Sequence, residues 1–258
     1  MARIIAYCVV GFILLPNIII IIASFSELRF ITFPPSGFTI DWYVEALHRQ
    51  EFLASFRTSL LLSATVTAIG TVIALMTALS LRVLTGPVRN WAVGVVMSPL
   101  MLPGIVIGIA LLQFFSLLRV PTSGWTLVLG HLVITIPYAV RLITDSLSAL
   151  PRNLEAAASS LGANPLRTVL AVVIPCIKPG VIAGALFVFI VSFENITISI
   201  FLAAPQTMTL PVRIFGYTEQ GVETWLVAIC SMTILFTLLL MGIIERFIGV
   251  RRIIYATK

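Results

Sequence analysis

The sequence predicts an all-α membrane protein with six transmembrane helices. Three observations predict it. Of 258 residues, 59% are hydrophobic and 10% charged, whereas a soluble domain is about a quarter charged. Six apolar runs reach the roughly 20 residues needed to cross hydrocarbon: Ile4–Phe25, Thr58–Leu81, Trp91–Leu118, Trp125–Thr144, Gly180–Ala204 and Trp225–Phe247. Peptide groups in lipid must find partners within their own segment, so each run is expected to be helical. The chain reads as a single membrane domain, residues 1–258.

The first run, Ile4–Phe25, exceeds the roughly 7–15-residue core of a cleaved leader. Only Arg3 precedes it and no small-residue cleavage site follows, so a retained span is expected. The connection over 26–56 carries Phe33-Pro34-Pro35-Ser36-Gly37, where paired prolines forbid helix. The stretch Thr39–Phe52 then brings Trp42, Tyr43 and Leu47 among charges, the composition of an interfacial segment. The third run holds Pro99 and Pro103-Gly104, and proline bends a spanning helix. Gly104 with Gly108, and Gly180 with Gly184 in the fifth run, are pairs that let helices approach closely. His131, alone in the fourth run, is expected to be hydrogen-bonded core rather than a proton relay.

The net charge of +6 is explained by topology without any nucleic acid. With the N-terminus inside, Arg3, Arg82, Arg89, Arg152, Arg167, Lys178, Arg246, Arg251, Arg252 and Lys258 fall on the inner side, with Arg141 close by. That is the positive-inside asymmetry. Glu27, Asp41, Glu45, Glu51, Glu219 and Glu223 fall outside, and both termini are expected in the cytoplasm. Cys8, Cys176 and Cys230 have no metal-type spacing and read as small apolar residues; no metal site is expected.

The largest inner connection, Asp145–Lys178, is a different kind of segment. Leu154–Leu161 is rich in Ala, a strong helix former. Gly162 then suits a C-terminal cap. Asn164 offers an N-cap with Pro165 at the first helical position, and Pro175 and Pro179 are expected to end this second helix before the fifth span. The result is helix, corner, helix, with a small-residue face of Ala156, Ala157 and Ser160. Such a face fits either a groove on another protein or the underside of its own bundle.

This stretch resembles the EAA loop of ABC importer permeases, written EAA-x3-G-x9-I-x-LP. Counting from Gly162, Ala157 and Ala158 take the two Ala positions and Pro175 the final Pro, while Val172 and Ile174 stand for Ile and Leu. Ala156 occupies the usual Glu position and Glu155 lies one residue earlier, about 100° around the helix. The resemblance implies the type I ABC importer permease fold, with this loop as a pair of coupling helices between the fourth and fifth of six spans. It implies that Glu155, Ala156, Ala157, Ala158, Ser160, Gly162, Asn164 and Pro165 form the element that docks on an ATPase. Implied partners are an ABC ATPase dimer, a second homologous permease (a heterodimer), an extracytoplasmic solute-binding protein and the lipid of a bacterial inner membrane. The chain is not expected to be an enzyme or to hold a cofactor. Its two lysines are followed by Pro179 or by the chain end, so no P-loop is present and ATP with Mg is expected on the partner.

An acid inside a span is a functional hypothesis by default. Glu194 lies in the fifth run with Asn195 beside it. It either faces a translocation path and attracts a cation, or pairs with Arg141 or a partner subunit. The run Ser192-Phe193-Glu194-Asn195, then Ser199-Ile200-Phe201-Leu202 and Thr209-Leu210-Pro211, resembles the polyamine and opine branch of these permeases, and the chain resembles the second permease of such a pair. Phe189, Phe193 and Phe114 are candidates for an aromatic cation-friendly wall or for lipid-facing positions, and Gln113 is a candidate polar group on the path.

The expected function is therefore permease subunit of an ABC importer, passing a small cationic organic solute of polyamine type. Competing readings are an importer for an opine, amino-acid derivative or anion, and a stand-alone secondary transporter or channel. The latter calls for inverted repeats or more intramembrane charges. A membrane enzyme lacks a clustered His, Asp or Cys constellation.

Overall fold

The computed structural model describes residues 2–151 and 153–248, and the chain divides into two compact units. Arg152, Arg251, Arg252 and Lys258, assigned above to the inner side, lie outside the described residues.

One unit comprises Met1–Arg57 with Leu210–Phe247. It holds α1 (Ala2–Ala23), α2 (Asp41–His48), the beginning of α3 (Gln50–Val83), α11 (Leu210–Thr218) and nearly all of α12 (Thr224–Ile248). Apolar side chains of α1 are exposed from Ile4 to Ile18, while Ala23 at its end is buried. The Pro-rich connection is not helical, and α2 follows it. The polar tips of its aromatic pair are used inside the unit. Trp42 Nε1 donates to Ser26 O at 2.6 Å, and the Tyr43 hydroxyl bonds Ser24 at 2.6 Å and donates to Ser231 at 3.1 Å. Arg49 bonds Glu45 at 2.7 Å and lies 3.8 Å over the Trp225 ring. This segment is therefore fastened to the bundle through its interfacial residues.

The other unit, built on Thr58–Thr209, holds most of α3, then α4 (Gly86–Met97), α5 (Gly104–Leu117), α6 (Gly124–Ser148), α7 (Asn153–Ser160), α8 (Pro165–Thr168), α9 (Ile174–Glu194) and α10 (Ser199–Leu202). Its core lies between α6 and α9, where Leu132, Ala139, Val140, Ile143, Ile177 and Val188 are buried. The helices meet at the glycines the spacing singled out. A methyl on Gly184 would stand 3.4 Å from Ala139, and one on Gly180 would strike Ser146. Lipid gives no hydrophobic drive between helices, so contact at this range must rest on backbone approach and dispersion.

Three expectations need correction. The third run is two helices, not one: a 3₁₀ turn over Ser98–Met101 and Pro103 separate α4 from α5, which are bent by 102°. Pro99 and Pro103 remove amide donors at both ends of the break. The fifth run is helical only to Glu194 and resumes as the short α10. Finally, Pro175 and Pro179 do not end a helix. A π-turn over Val169–Val173 carries α8 into α9, giving one helix over Pro165–Glu194. The wider turn frees carbonyls ahead of Pro175, so the ring is accommodated without a stop.

The break after Glu194 is packed as tightly as the core. A methyl on Gly108 of α5 would lie 2.6 Å from the Phe201 ring and 2.8 Å from Thr197 O. Gly108→Val is expected to lower stability by about 2 kcal/mol through overpacking, read as a fall in the melting midpoint in detergent. Gly94→Ala, whose methyl meets nothing within 4 Å, should not lower it; equal midpoints for the two variants would refute this close approach.

Candidate functional site

The helical corner forms as the residues dictate. α7 stops at Ser160 and Gly162 adopts φ +82, a left-handed conformation that suits glycine. Its amide donates to Ser159 O at 2.9 Å and the Ala163 amide to Ala158 O at 3.1 Å, the paired bonds of a Schellman end. Asn164 Oδ1 then accepts from the Arg167 amide at 2.7 Å with Pro165 at the first position of α8. Two caps separated by one residue make the corner rigid. Ala158 is buried, whereas Ala156, Ala157 and Ser160, the small-residue face, are exposed. Leu161 and Leu166 are exposed at 89% and 68%. They were not singled out in the sequence, although leucines flanking a glycine cap inside an Ala-rich corner were the available signal.

Glu155 is already engaged within the chain: its carboxylate accepts from Arg82 Nη2 at 2.8 Å. The residue displaced from the motif thus ties α7 to the last turn of α3. A partly exposed pair contributes up to about 1 kcal/mol, so its value lies in orientation more than in stability. Nothing in the sequence pairs Arg82 with Glu155, which are 73 positions apart.

The second feature is the break in the fifth run. α9 ends at Glu194, whose carboxylate is exposed and has no ion-pair partner among the described residues. Arg141 lies two residues from Ala139, which packs on Gly184. That is ten residues before Glu194, about 15 Å of helical rise. The chain therefore does not pair Arg141 with Glu194. Asn195 Oδ1 accepts from the Ile198 amide at 2.8 Å, capping the turn that becomes α10. Its carbonyl accepts from Ser199 Oγ at 2.9 Å.

His131 closes the break from the α6 side. Its Nδ1 lies 2.9 Å from Ser192 Oγ and its Nε2 3.0 Å from Ser199 Oγ. Ser199 already gives its proton to Asn195, so Nε2 carries the imidazole hydrogen and Nδ1 accepts from Ser192. The ring is fully buried, joining one hydroxyl before the break to one after it, as a hydrogen-bonded core residue.

The aromatic candidates divide. Phe189 and Phe193 stack at 5.9 Å, and Phe193 is 3% exposed, so only Phe189 of the two offers a partly open face. Gln113 and Phe114 are exposed, with Phe114 packed edge-on against Phe115. α5 meets Thr197 at Gly104 and carries Gln113 about 14 Å of rise farther on, so they are not brought to Glu194. No group of three metal-binding side chains occurs among the described residues.

Residues 70–252 match the family described as binding-protein-dependent transport system inner membrane component, and the chain belongs to that family. It is 26% identical over 230 residues to the spermidine/putrescine transport system permease PotC of Escherichia coli K12, covering 89% of this chain and 87% of PotC. It is 29% identical over 241 residues to a putative 2-aminoethylphosphonate transport system permease, PhnV, of Salmonella typhi, covering 91% and 89%. Among solved structures it resembles a chain of a bacterial alginate ABC transporter in complex with an alginate pentasaccharide-bound periplasmic protein, with TM-score 0.70 and 15% identity over 96% and 91% of the chains. The fold is that of type I ABC importer permeases. Members are membrane permease subunits rather than enzymes, with ATP hydrolysis in a separate subunit.

The histidine staple has a direct test. His131→Leu leaves the buried Ser192 and Ser199 hydroxyls without their ring partner, an expected loss of about 2–4 kcal/mol. Thermal unfolding should show it against Ser98→Ala, whose hydroxyl is exposed. A midpoint shift no larger than the control's would show that the ring does not hold the break.

Proposed function

We propose that this subunit of an ABC importer passes a small solute bearing an aliphatic ammonium group, and that Glu194 is the residue that meets it. The observation that carries this reading is the position of Glu194: an exposed carboxylate on the last residue of a helix that stops within an apolar run. The C-terminal end of a helix carries partial negative charge, and broken spans in transporters present such ends to cations. The carboxylate and the helix end add in sign. The names of PotC and PhnV supply the chemistry: polyamines and 2-aminoethylphosphonate each carry an amine. A polyamine is the first reading, because the only charge identified at the break is an acid. An aminophosphonate is the second, supported by the similarity to PhnV.

In this reading the α7–α8 corner docks on a partner ATPase through Ala156, Ala157, Ser160, Leu161 and Leu166. Glu155, held by Arg82, orients the corner rather than reaching outward. Gly162, Asn164 and Pro165 fix the angle. ATP and its Mg stay on the partner. Both termini face the cytoplasm of a bacterium, a second homologous permease completes the path as a heterodimer, and an extracytoplasmic protein delivers solute. The similarity to an ABC transporter crystallised with a periplasmic protein supports that last partner.

The decisive experiment is solute-stimulated ATP hydrolysis by the reconstituted transporter, comparing putrescine, spermidine and 2-aminoethylphosphonate. Removing the charge with Glu194→Gln is expected to raise the half-maximal amine concentration about tenfold to a hundredfold, the value of a charge-assisted hydrogen bond. Stimulation by solutes without an amine, or an unshifted response in Glu194→Gln, would overturn the ammonium reading.

The corner has its own test. Proline cannot adopt φ +82, so Gly162→Pro is expected to leave the protein in the membrane while solute ceases to accelerate hydrolysis. Transport at the wild-type rate in that variant would show that the corner does not couple.

A further inference from the structure

Where α3 ends, α4 begins and α6 makes its last turns, the chain lines an open-mouthed cavity of about 460 Å³. Its polar lining is Arg82, Thr85, Arg89, Thr144 and Ser148, with the Gly86 backbone, and none of its lining residues is acidic. Arg82 gives Nη2 to Glu155, but its Nη1 is buried and has no hydrogen-bond partner among the described residues. Thr144 Oγ1 is likewise buried and unpartnered. The N-terminus of α4 opens here uncapped: Thr85 makes no side-chain cap bond. Free amides at such an end favour an anion. A neighbouring cavity of about 270 Å³ shares Leu81, Arg89 and Thr144 and adds Arg141, with Asp145 as its acid.

Arg82 and Arg89, with the unpartnered Arg82 Nη1 and Thr144 Oγ1, make this hole basic, and Arg141 lines its neighbour. Guanidinium groups match phosphate oxygens two at a time. Beside the hole, α4 presents Val88, Trp91 and Val95, all exposed and spaced at i, i+3 and i+7 on one face. Tryptophan beside arginine next to an apolar face is the composition of a membrane–water boundary. A free anion would use only the hole; a phospholipid uses the hole and the face together. Basic pockets between spanning helices are known to take anionic headgroups.

We propose that this cavity binds the phosphate headgroup of an anionic phospholipid. Arg82 and Arg89 meet the phosphate, Arg141 stands at the flanking cavity, and the acyl chain lies along Val88, Trp91 and Val95. The site abuts the ion pair that ties α7 to α3, so bound lipid braces the coupling corner from the membrane side. This inference stands independently of the solute.

The test is native mass spectrometry of the full-length chain released from detergent with phosphatidylglycerol or phosphatidylcholine. The expected result is retention of phosphatidylglycerol about tenfold over phosphatidylcholine, lost in Arg89→Gln with Arg141→Gln and partly restored by Arg89→Lys. These variants leave the Arg82–Glu155 pair alone. Equal retention of the two lipids, or an unchanged preference in the double variant, overturns the proposal. Inorganic phosphate raising the melting midpoint as much as phosphatidylglycerol does would assign the hole to a free anion and overturn the lipid. A photo-crosslinker at Val88 in the assembled transporter, in phosphatidylglycerol nanodiscs, should label lipid; labelling of the ATPase instead overturns it. Should the double variant fail to fold, the wild-type lipid comparison and the crosslink still decide.

Discussion

A helix that stops inside hydrocarbon leaves carbonyls and amides that water cannot reach. This chain stops a helix within an apolar run at Glu194, and the neighbouring residues supply hydrogen-bond partners at the break. Asn195 caps the next turn with its side chain and takes the Ser199 hydroxyl on its carbonyl. His131 joins Ser192 to Ser199 across the gap. Glycines 104 and 108 let α5 close over Thr197 and Phe201. With the backbone satisfied in this way, a carboxylate can stand at a helix end without the cost of an orphaned turn beside it.

In the proposed function one helix carries both the solute site and the docking corner. From Pro165 to Glu194 the backbone is helical without interruption, about 45 Å at 1.5 Å per residue. The corner at its start is held by two caps, and the proposed ammonium site is at its end. On that proposal a displacement applied to the corner would reach Glu194 through this continuous helix rather than through a chain of loose contacts. The π-turn over Val169–Val173 and prolines 175 and 179 lie early in that rod, the places where it has freedom to bend.

Much of this was legible in the sequence, because apolar run length and caps are local. The positions of the six apolar runs, the Gly162 corner and the Asn164–Pro165 start could each be read from neighbours within a few positions, whereas His131's partners, Ser192 and Ser199, lie 61 and 68 positions away. The misses have a common cause. Pro175 and Pro179 looked like stops because nothing local announces a π-turn that admits them. Pro99 and Pro103 announced a bend but not one of 102°, since that angle is set by what α5 packs against. Glu155 looked like a residue slipped from its motif; its partner Arg82 is distant in sequence and only the fold reveals it. Phe193 carried the residue type of a path wall, but its burial depends on α9's rotation.

Arg82 is where the proposed lipid site meets the proposed docking corner. Its guanidinium has a fork of five donors, of which one amine is given to Glu155 and the other, Nη1, lies buried in the wall of the basic cavity. A proposed phosphate need not displace Glu155, because Nη1 and Nη2 are separate donors of one planar group. With such a lipid bound, the arginine would be held on both edges and α7 with it. Lysine at this position would carry the charge but only as a point, without a second edge to offer. The pairing of a displaced glutamate with an arginine rather than a lysine therefore serves the corner in a way that charge alone does not.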